Sequence, residues 1–280
     1  MSRTRLDARL ATMAALALLA LTTACSEGGG PTTPTAADAA RLNADVALAT
    51  GAAIASDLAV WSGNEAAVSA AFAGGGAPPA GSCTRSGNVT TCTGGREGTL
   101  EITRTVSFFD AAGAAQQAYD AGTTARVDFG VQVTGSASGA QFGTTVDRER
   151  SLSVTGLAGS ETQRTWNGTG SGTTTNTFTS SVGTRTVTLV ETDTTSDVVW
   201  VVSPTRAAYP ASGTVVRRMS ATTTVVGDRS ASFTATRRVQ VTFNGTQRVP
   251  LEVSAVTRRG TTVALTCQLN LETRAVVCPE

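Results

Sequence analysis

The side chains that could do chemistry in this chain of 280 residues are its cysteines, carboxylates and arginines. The sequence contains no His, and all 22 of its basic residues are Arg. Without His there is no Ser-His or Cys-His nucleophile, and without Lys there is no Schiff-base or Ser-Lys variant. No GxSxG, P-loop or strand-associated GxGxxG motif is present. The sequence therefore predicts a protein that is not an enzyme and needs no cofactor.

Carboxylate pairs remain a candidate chemistry, because two acids can divide acid and base roles as in glycosidases. Spacing alone does not choose a pair among the acids available: Asp110, Asp128, Asp147, Glu149, Glu191, Asp193 and Asp197. Glu191, Asp193 and Asp197 could also ligate Ca²⁺ through oxygen, although no EF-hand or calcium-repeat pattern surrounds them. Surface and turn acids are the commoner explanation, and we predict no metal site.

Several arginines stand at strand positions where apolar residues are expected: Arg104, Arg148, Arg150 and Arg237. If these faces line a concave interior, the guanidinium groups could converge on an anionic head group or on a ligand carboxylate. Alternatively, each arginine marks a strand end and extends its head to water, or pairs with a nearby acid such as Glu101 or Asp110. The two hypotheses differ in how deeply the guanidinium groups are buried.

Four of the five cysteines form two symmetric pairs, Cys83 with Cys92 and Cys267 with Cys278. Turns centred at 87–88 and at 272–273 would place the members of each pair directly opposite each other on antiparallel strands. Such positions are about 4.5 or 5.5 Å apart between Cα atoms, which is within disulfide range. Neither pair has CxxC spacing and no His assists, so two disulfides are predicted rather than a metal site.

The fifth cysteine, Cys25, ends an apolar run near the N-terminus. Three arginines precede an uncharged stretch, 10–24, that is long enough for a signal peptide and too short for a spanning helix. The sequence Leu-Thr-Thr-Ala-Cys at 21–25 resembles the lipobox of bacterial lipoproteins. The alternative is an ordinary secretory signal with a nearby cysteine.

The resemblance implies that residues 1–24 are removed and that Cys25 is diacylated and becomes the mature N-terminus. The acyl chains would make the membrane the partner of this segment, and by family analogy Ser26 favours the outer over the inner membrane. Residues 25–37 are rich in Gly, Pro and Thr and are predicted to form a flexible tether.

Residues 38–73 have an apolar stripe at helical spacing: Leu42, Val46, Ala49, Ala53, Ile54, Leu58 and Trp61. One or two helices are predicted here, packed against the sheet that follows. A helix lying on a membrane is the alternative, but no basic face accompanies the stripe.

From residue 82 to residue 280 apolar residues alternate with Thr and Ser, in runs separated by Gly, Asn and Asp. This pattern predicts about ten to twelve half-buried antiparallel strands. The fold class is therefore mainly β (α+β), a short helical segment followed by a large antiparallel meander sheet, as an open barrel or a sandwich. At the turn near Gly245, a three-residue loop with left-handed Gly245 would pair Val239 with Val249 and keep the apolar faces together.

Composition narrows the function further. The formal net charge is +1, so nothing suggests a nucleic-acid partner. Only 13 residues are aromatic, fewer than the girdles of a membrane barrel need. We expect a lipid-anchored protein of the cell envelope with a non-enzymatic structural or interaction role. The alternative is a carrier that holds a lipid or another amphiphile in a half-barrel, with the in-phase arginines at its mouth.

Overall fold

The computed structural model describes residues 82–93, 100–157, 161–180, 183–201, 209–227, 231–256 and 262–279, and within these ranges the chain is all-β. The thirteen strands are β1 (Ser82–Ser86), β2 (Val89–Thr93), β3 (Leu100–Asp110), β4 (Ala115–Gln116), β5 (Thr124–Ser138), β6 (Phe142–Thr155), β7 (Gln163–Ser180), β8 (Gly183–Val201), β9 (Ser212–Gly227), β10 (Ala231–Thr242), β11 (Arg248–Val256), β12 (Thr262–Asn270) and β13 (Val276–Val277). None of the described residues forms a helix long and apolar enough to cross a bilayer.

The strands form one antiparallel meander sheet, in which each strand pairs with the next along the chain. The short β4 is the exception, since it pairs only with β3 and lets β3 pair directly with β5. The sheet is not closed, and β1 and β13 lie at its two edges. The predicted meander is thus confirmed, as a single open sheet rather than two separate sheets.

The strands follow from the sequence because β-branched residues alternate with period two. In β8, Val187 is buried and its neighbours Thr186 and Thr188 point to the opposite face. Val and Thr both fit a pleated, half-buried surface. In β8 this alternation continues to Thr195, and after an irregularity in the pairing between Ser196 and Val199 the buried positions are Val198 and Trp200.

One face of the sheet, here called the inner face, carries the hydrophobic core. The core cluster runs across β6 to β13 and consists of Leu152, Val154, Trp166, Val198, Trp200, Val215, Val239, Val241, Phe243, Val249, Leu251, Val253, Cys267, Leu269 and Val276. Phe129 of β5 extends the cluster by stacking on Trp166, with ring centroids 6.1 Å apart. The apolar phase of the alternation therefore supplies this core, for example at Val239 and Val241 of β10 and at Val249, Leu251 and Val253 of β11.

The predicted register of the β10–β11 hairpin is wrong by four residues. Val239 pairs with Val253 rather than with Val249, and Val241 pairs with Leu251. Because the shift is an even number of residues, every side chain keeps its predicted face. Gly245 is left-handed, as predicted, with φ +77°.

Contacts outside the hairpin explain the longer loop, which runs from residue 243 to 247. Phe243 is 3% exposed and packs in the core, and its backbone N–H donates to the carbonyl of Gly213 at 2.9 Å. The N–H of Gly245 donates to the carbonyl of Pro210, also at 2.9 Å. The loop is therefore anchored to Pro210, just before β9, and to Gly213 at the start of β9, and a local turn rule does not include these contacts.

Both predicted disulfides are present. Cys83 lies opposite Cys92 in the β1–β2 hairpin, and Cys267 is bonded to Cys278 across β12 and the C-terminal segment. Their Cα atoms are 4.0 and 4.2 Å apart. Two disulfides are typical of an extracytoplasmic protein.

The predicted signal peptide, Cys25, the tether and the helical segment 38–73 lie outside the described residues.

Candidate functional site

The inner face is polar as well as apolar, since an ionic cluster continues the core along β6 to β10. On these five strands, strand pairing places six arginines and two carboxylates on the inner face: Arg148, Arg150, Arg164, Arg185, Arg217, Arg237, Glu191 and Asp193. Four of the arginines and both acids are close neighbours in the register. We call these six residues, Arg148, Arg150, Glu191, Asp193, Arg217 and Arg237, the inner-face cluster.

Alternate glycines on β7 make this cluster sterically feasible. Gly170 lies between Arg150 on β6 and Asp193 on β8, and Gly172 lies between Arg148 and Glu191 in the same way. A Cβ on Gly170 would come within 2.5 Å of Asp193 Oδ1, and one on Gly172 within 2.6 Å of Arg148 Cγ. The missing side chains leave a channel over β7 that long arginine side chains from β6 can cross.

Two ion pairs cross this channel. Arg150 Nη2 donates to Asp193 Oδ1 at 3.1 Å, and Arg148 Nη2 lies 3.0 Å from Glu191 Oε1. The side chains of the first pair are only 19% and 9% exposed, whereas Arg148 is 43% exposed. The Arg150–Asp193 pair is therefore the better shielded from water, and its loss should cost more free energy.

Arg217 of β9 lies directly opposite Asp193 and is 6% exposed. Next to it on the same face, Met219 separates Glu191 from Arg237. A buried guanidinium needs nearby negative charge to offset its loss of hydration. The carboxylate of Asp193 thus lies between the positive charges of β6 and β9.

Arg237 of β10 is a different case from the arginines of β6. Its Nη1 donates to the carbonyl of Thr236 at 2.9 Å, while its buried Nε has no hydrogen-bond partner among the described residues. Burial lowers the pKa of the Arg237 guanidinium below its ordinary value. Within the described ranges no carboxylate forms an ion pair with it.

The four arginines singled out in the sequence do not all converge. Arg148, Arg150 and Arg237 belong to the inner-face cluster, whereas Arg104 lies opposite Val131 and Cys92 and is exposed. Glu101 and Asp110, the acids suggested as their partners, form no ion pair with these arginines among the described residues. Glu101 is exposed, and Asp110 Oδ1 accepts from the N–H groups of Ala112 and Ala114 in a turn.

The sequence analysis did not predict three features of this site. These are the presence of Arg217, the ion pairs of Glu191 and Asp193 with arginines of β6, and the open channel left by the glycines of β7. A signal was present, because Gly168, Gly170 and Gly172 alternate in one phase of β7. Glu191 and Asp193 likewise stand in the same phase as Val187 and Leu189. When two strands carry charged residues on one face and the strand between them carries glycines on that face, side-chain contacts across the middle strand are predicted.

Other sites in the described residues are weaker candidates. No group of three or more acidic or cysteine side chains comes together there in a way that could hold a metal ion. An open depression of about 420 Å³ lies beside the β6–β7 connection and is lined by polar residues: Thr155, Gly156, Glu161, Thr162, Gln163 and Thr165. Thr155 is five residues along β6 from Arg150, so this depression is separate from the inner-face cluster.

No protein-family model matches this chain, and no curated protein or solved structure matches it significantly.

Proposed function

We propose that this chain is a lipid-anchored protein of the bacterial cell envelope, held by acyl chains on Cys25, with a non-enzymatic structural or interaction role. The observation that supports export is the pair of disulfide-bonded hairpins, because such bonds persist in oxidising compartments. With these four cysteines paired, Cys25 is the only odd cysteine of the five. Acylation gives that cysteine a chemical use, in keeping with the lipobox-like sequence at 21–25.

The structural role is supported by how the strands use their charges. The acids of the inner-face cluster make hydrogen bonds and ion pairs to arginines rather than facing each other as an acid–base pair. Charges that are paired with each other are less available to activate a substrate, and shielded pairs of this kind can help to specify the register of a sheet. A rigid sheet on a tether fits a protein that supports or contacts other envelope components.

Replacement of the anchor residue tests the proposal. The variant Cys25→Ser should move from the membrane fraction to the soluble periplasmic fraction, or remain as unprocessed precursor without acyl chains. Ser26→Ala, next to it, is the matched control and should stay with membranes. If Cys25→Ser still carries diacylglycerol by mass spectrometry, the anchoring proposal is wrong.

The second candidate function is a carrier of a lipid or another amphiphile. The sheet is not closed, which favours this function, because a ligand can then reach the inner face, where arginines border apolar residues. Native mass spectrometry of protein purified from the envelope tests this function. A co-purifying amphiphile in stoichiometric amount would support it, and repeated absence of one would count against it.

A further inference from the structure

We infer that Arg237, with Arg217 beside it, forms an oxyanion-binding site on the inner face that takes a phosphate or carboxylate group. The inference goes beyond an anchoring or structural role, and it holds whether the oxyanion is free or is the head group of an amphiphile. Only the second case would rest on the proposed carrier function.

The charge balance of the inner-face cluster is the first support. Its four arginines and two carboxylates leave a formal excess of two positive charges, and the cluster adjoins a core that excludes water. Positive charge in such surroundings is poorly screened and attracts anions. Within the described ranges Glu191 pairs with Arg148 and Asp193 with Arg150, and no carboxylate forms an ion pair with Arg237.

The geometry of Arg237 is the second support. Nη1 of its guanidinium donates to the Thr236 carbonyl, a neutral acceptor that does not balance the charge. The edge formed by Nε and Nη2 is the edge that binds two oxygens of a carboxylate or phosphate side by side. Nε has no acceptor among the described residues, and a buried donor without an acceptor is unfavourable. An oxyanion would both accept a hydrogen bond from Nε and neutralise the positive charge of the Arg237 guanidinium.

The position of Arg237 makes this approach feasible. The residue is partly exposed, so rotation about its side-chain bonds can turn the Nε edge toward an anion arriving from solvent. Arg217 is its diagonal neighbour across β9 and β10, and diagonal neighbours in a sheet have Cα atoms about 7–8 Å apart. Two guanidinium groups at that spacing can both reach one tetrahedral phosphate.

The doubled arginine at 237–238 supplies a matched control. Arg238 pairs with Arg218 and lies on the opposite face of the same strand, where its Nη2 hydrogen-bonds with Gln240. Arg237→Gln and Arg238→Gln therefore remove the same charge from adjacent positions, and only the first removes it from the inner face. A general loss of positive charge would weaken anion binding equally in both variants.

The experiment measures binding of inorganic phosphate and of dodecyl phosphate to the purified protein by calorimetry. We expect Arg237→Gln to weaken phosphate binding at least tenfold and Arg238→Gln to change it less than twofold. Arg237→Lys keeps the charge and a donor but not the two-donor edge. It should melt at the same temperature as wild type and still bind phosphate more weakly, so that misfolding does not explain its weaker binding.

The two probes separate the site from the carrier function. Equal affinity for both probes, lost in Arg237→Gln, would support the oxyanion site and count against carriage of an amphiphile. Dodecyl phosphate bound at least tenfold more tightly would support both. If neither probe binds, or if Arg237→Gln and Arg238→Gln bind phosphate alike, the site is overturned, while the anchoring proposal stands on its own test.

Discussion

At the scale of single residues, absent side chains matter as much as the charged ones. The arginines of β6 reach β8 only because Gly170 and Gly172 leave the inner face of β7 open. In water an ion pair contributes little, since both charges are well hydrated when apart. Over the glycine channel Asp193 is only 9% exposed, so leaving its partner unpaired becomes costly.

The first prediction concerns the glycine channel. Gly170→Ala should lower the free energy of unfolding by about 1–3 kcal/mol, the range for overpacking a filled site, because the new Cβ would displace the Asp193 carboxylate. Gly143→Ala, on β6, is the control, since its Cβ would meet no atom within 4 Å. Urea denaturation measures both, and equal stability of the two variants would contradict the steric role of Gly170.

The second prediction ranks the two ion pairs. Asp193→Asn should cost about 3 kcal/mol because it leaves a shielded Arg150 without its carboxylate, whereas Glu191→Gln should cost less than about 1 kcal/mol because Arg148 is well exposed. Double-mutant cycles with Arg150→Met and Arg148→Met measure the two coupling energies. A larger coupling for Arg148–Glu191 would mean that shielding does not set their strength.

At the scale of elements, the hairpins at the two edges solve the problem that an open sheet creates. Unpaired edge strands invite association with other chains, and short edge strands reduce that risk. Here β1 has five residues and β13 has two, and a disulfide fixes each end hairpin. The disulfides close loops with sequence separations of 9 and 11, worth about 2.5–3 kcal/mol each in the chain-entropy model.

The third prediction compares these hairpins. Removing Cys267–Cys278 by double Ala substitution should lower global stability more than removing Cys83–Cys92, because Cys267 is 1% exposed and belongs to the core cluster. Loss of Cys83–Cys92 should instead speed amide hydrogen exchange mainly in β1 and β2. Thermal unfolding and hydrogen exchange measure the two effects, and a reversed order of melting temperatures would be inconsistent with this assignment.

The fourth prediction tests the β10–β11 loop. Gly245→Ala should cost about 1–2 kcal/mol, because a left-handed backbone at φ +77° is unfavourable for any residue with a Cβ. The new Cβ would meet only Ala211 atoms, at 3.8 Å or more, so the cost comes from the backbone and not from a clash. Gly139→Ala, with no neighbour within 4 Å, should be nearly neutral in the same denaturation assay.

At the scale of the whole molecule, a single sheet joined by consecutive hairpins keeps its core on one face. Its strand order follows the chain order, so most pairings form between segments that are close in sequence. The stability of such a sheet depends on its edge strands and on the charges that border its core. The disulfides fix the two edge hairpins, and the inner-face cluster pairs charges beside the core. The fold also depends on an oxidising compartment, because the reducing conditions of a cytoplasm would break the two disulfides.

The fifth prediction follows from that connection. Protein purified without reductant should show no alkylation at Cys83, Cys92, Cys267 and Cys278 before reduction and alkylation at all four after it. Unfolding in reductant should occur at a lower denaturant concentration, because both loop constraints are then lost. Alkylation of these cysteines in the unreduced native protein would show that the pairs are not oxidised in the cell.

The sequence by itself determined the features that adjacent segments specify: strands from alternation, hairpins from turn residues, and both disulfides from cysteines placed symmetrically about a turn. Only the tertiary structure decided which acids meet Arg148 and Arg150, because those partners lie 43 residues away across an intervening strand of glycines. It also decided the loop at Gly245, where hydrogen bonds to Pro210 and to Gly213 of β9 override the local turn preference. Local sequence thus fixes which face of the sheet each residue takes, whereas loop length and contacts across a strand depend on residues that are distant along the chain.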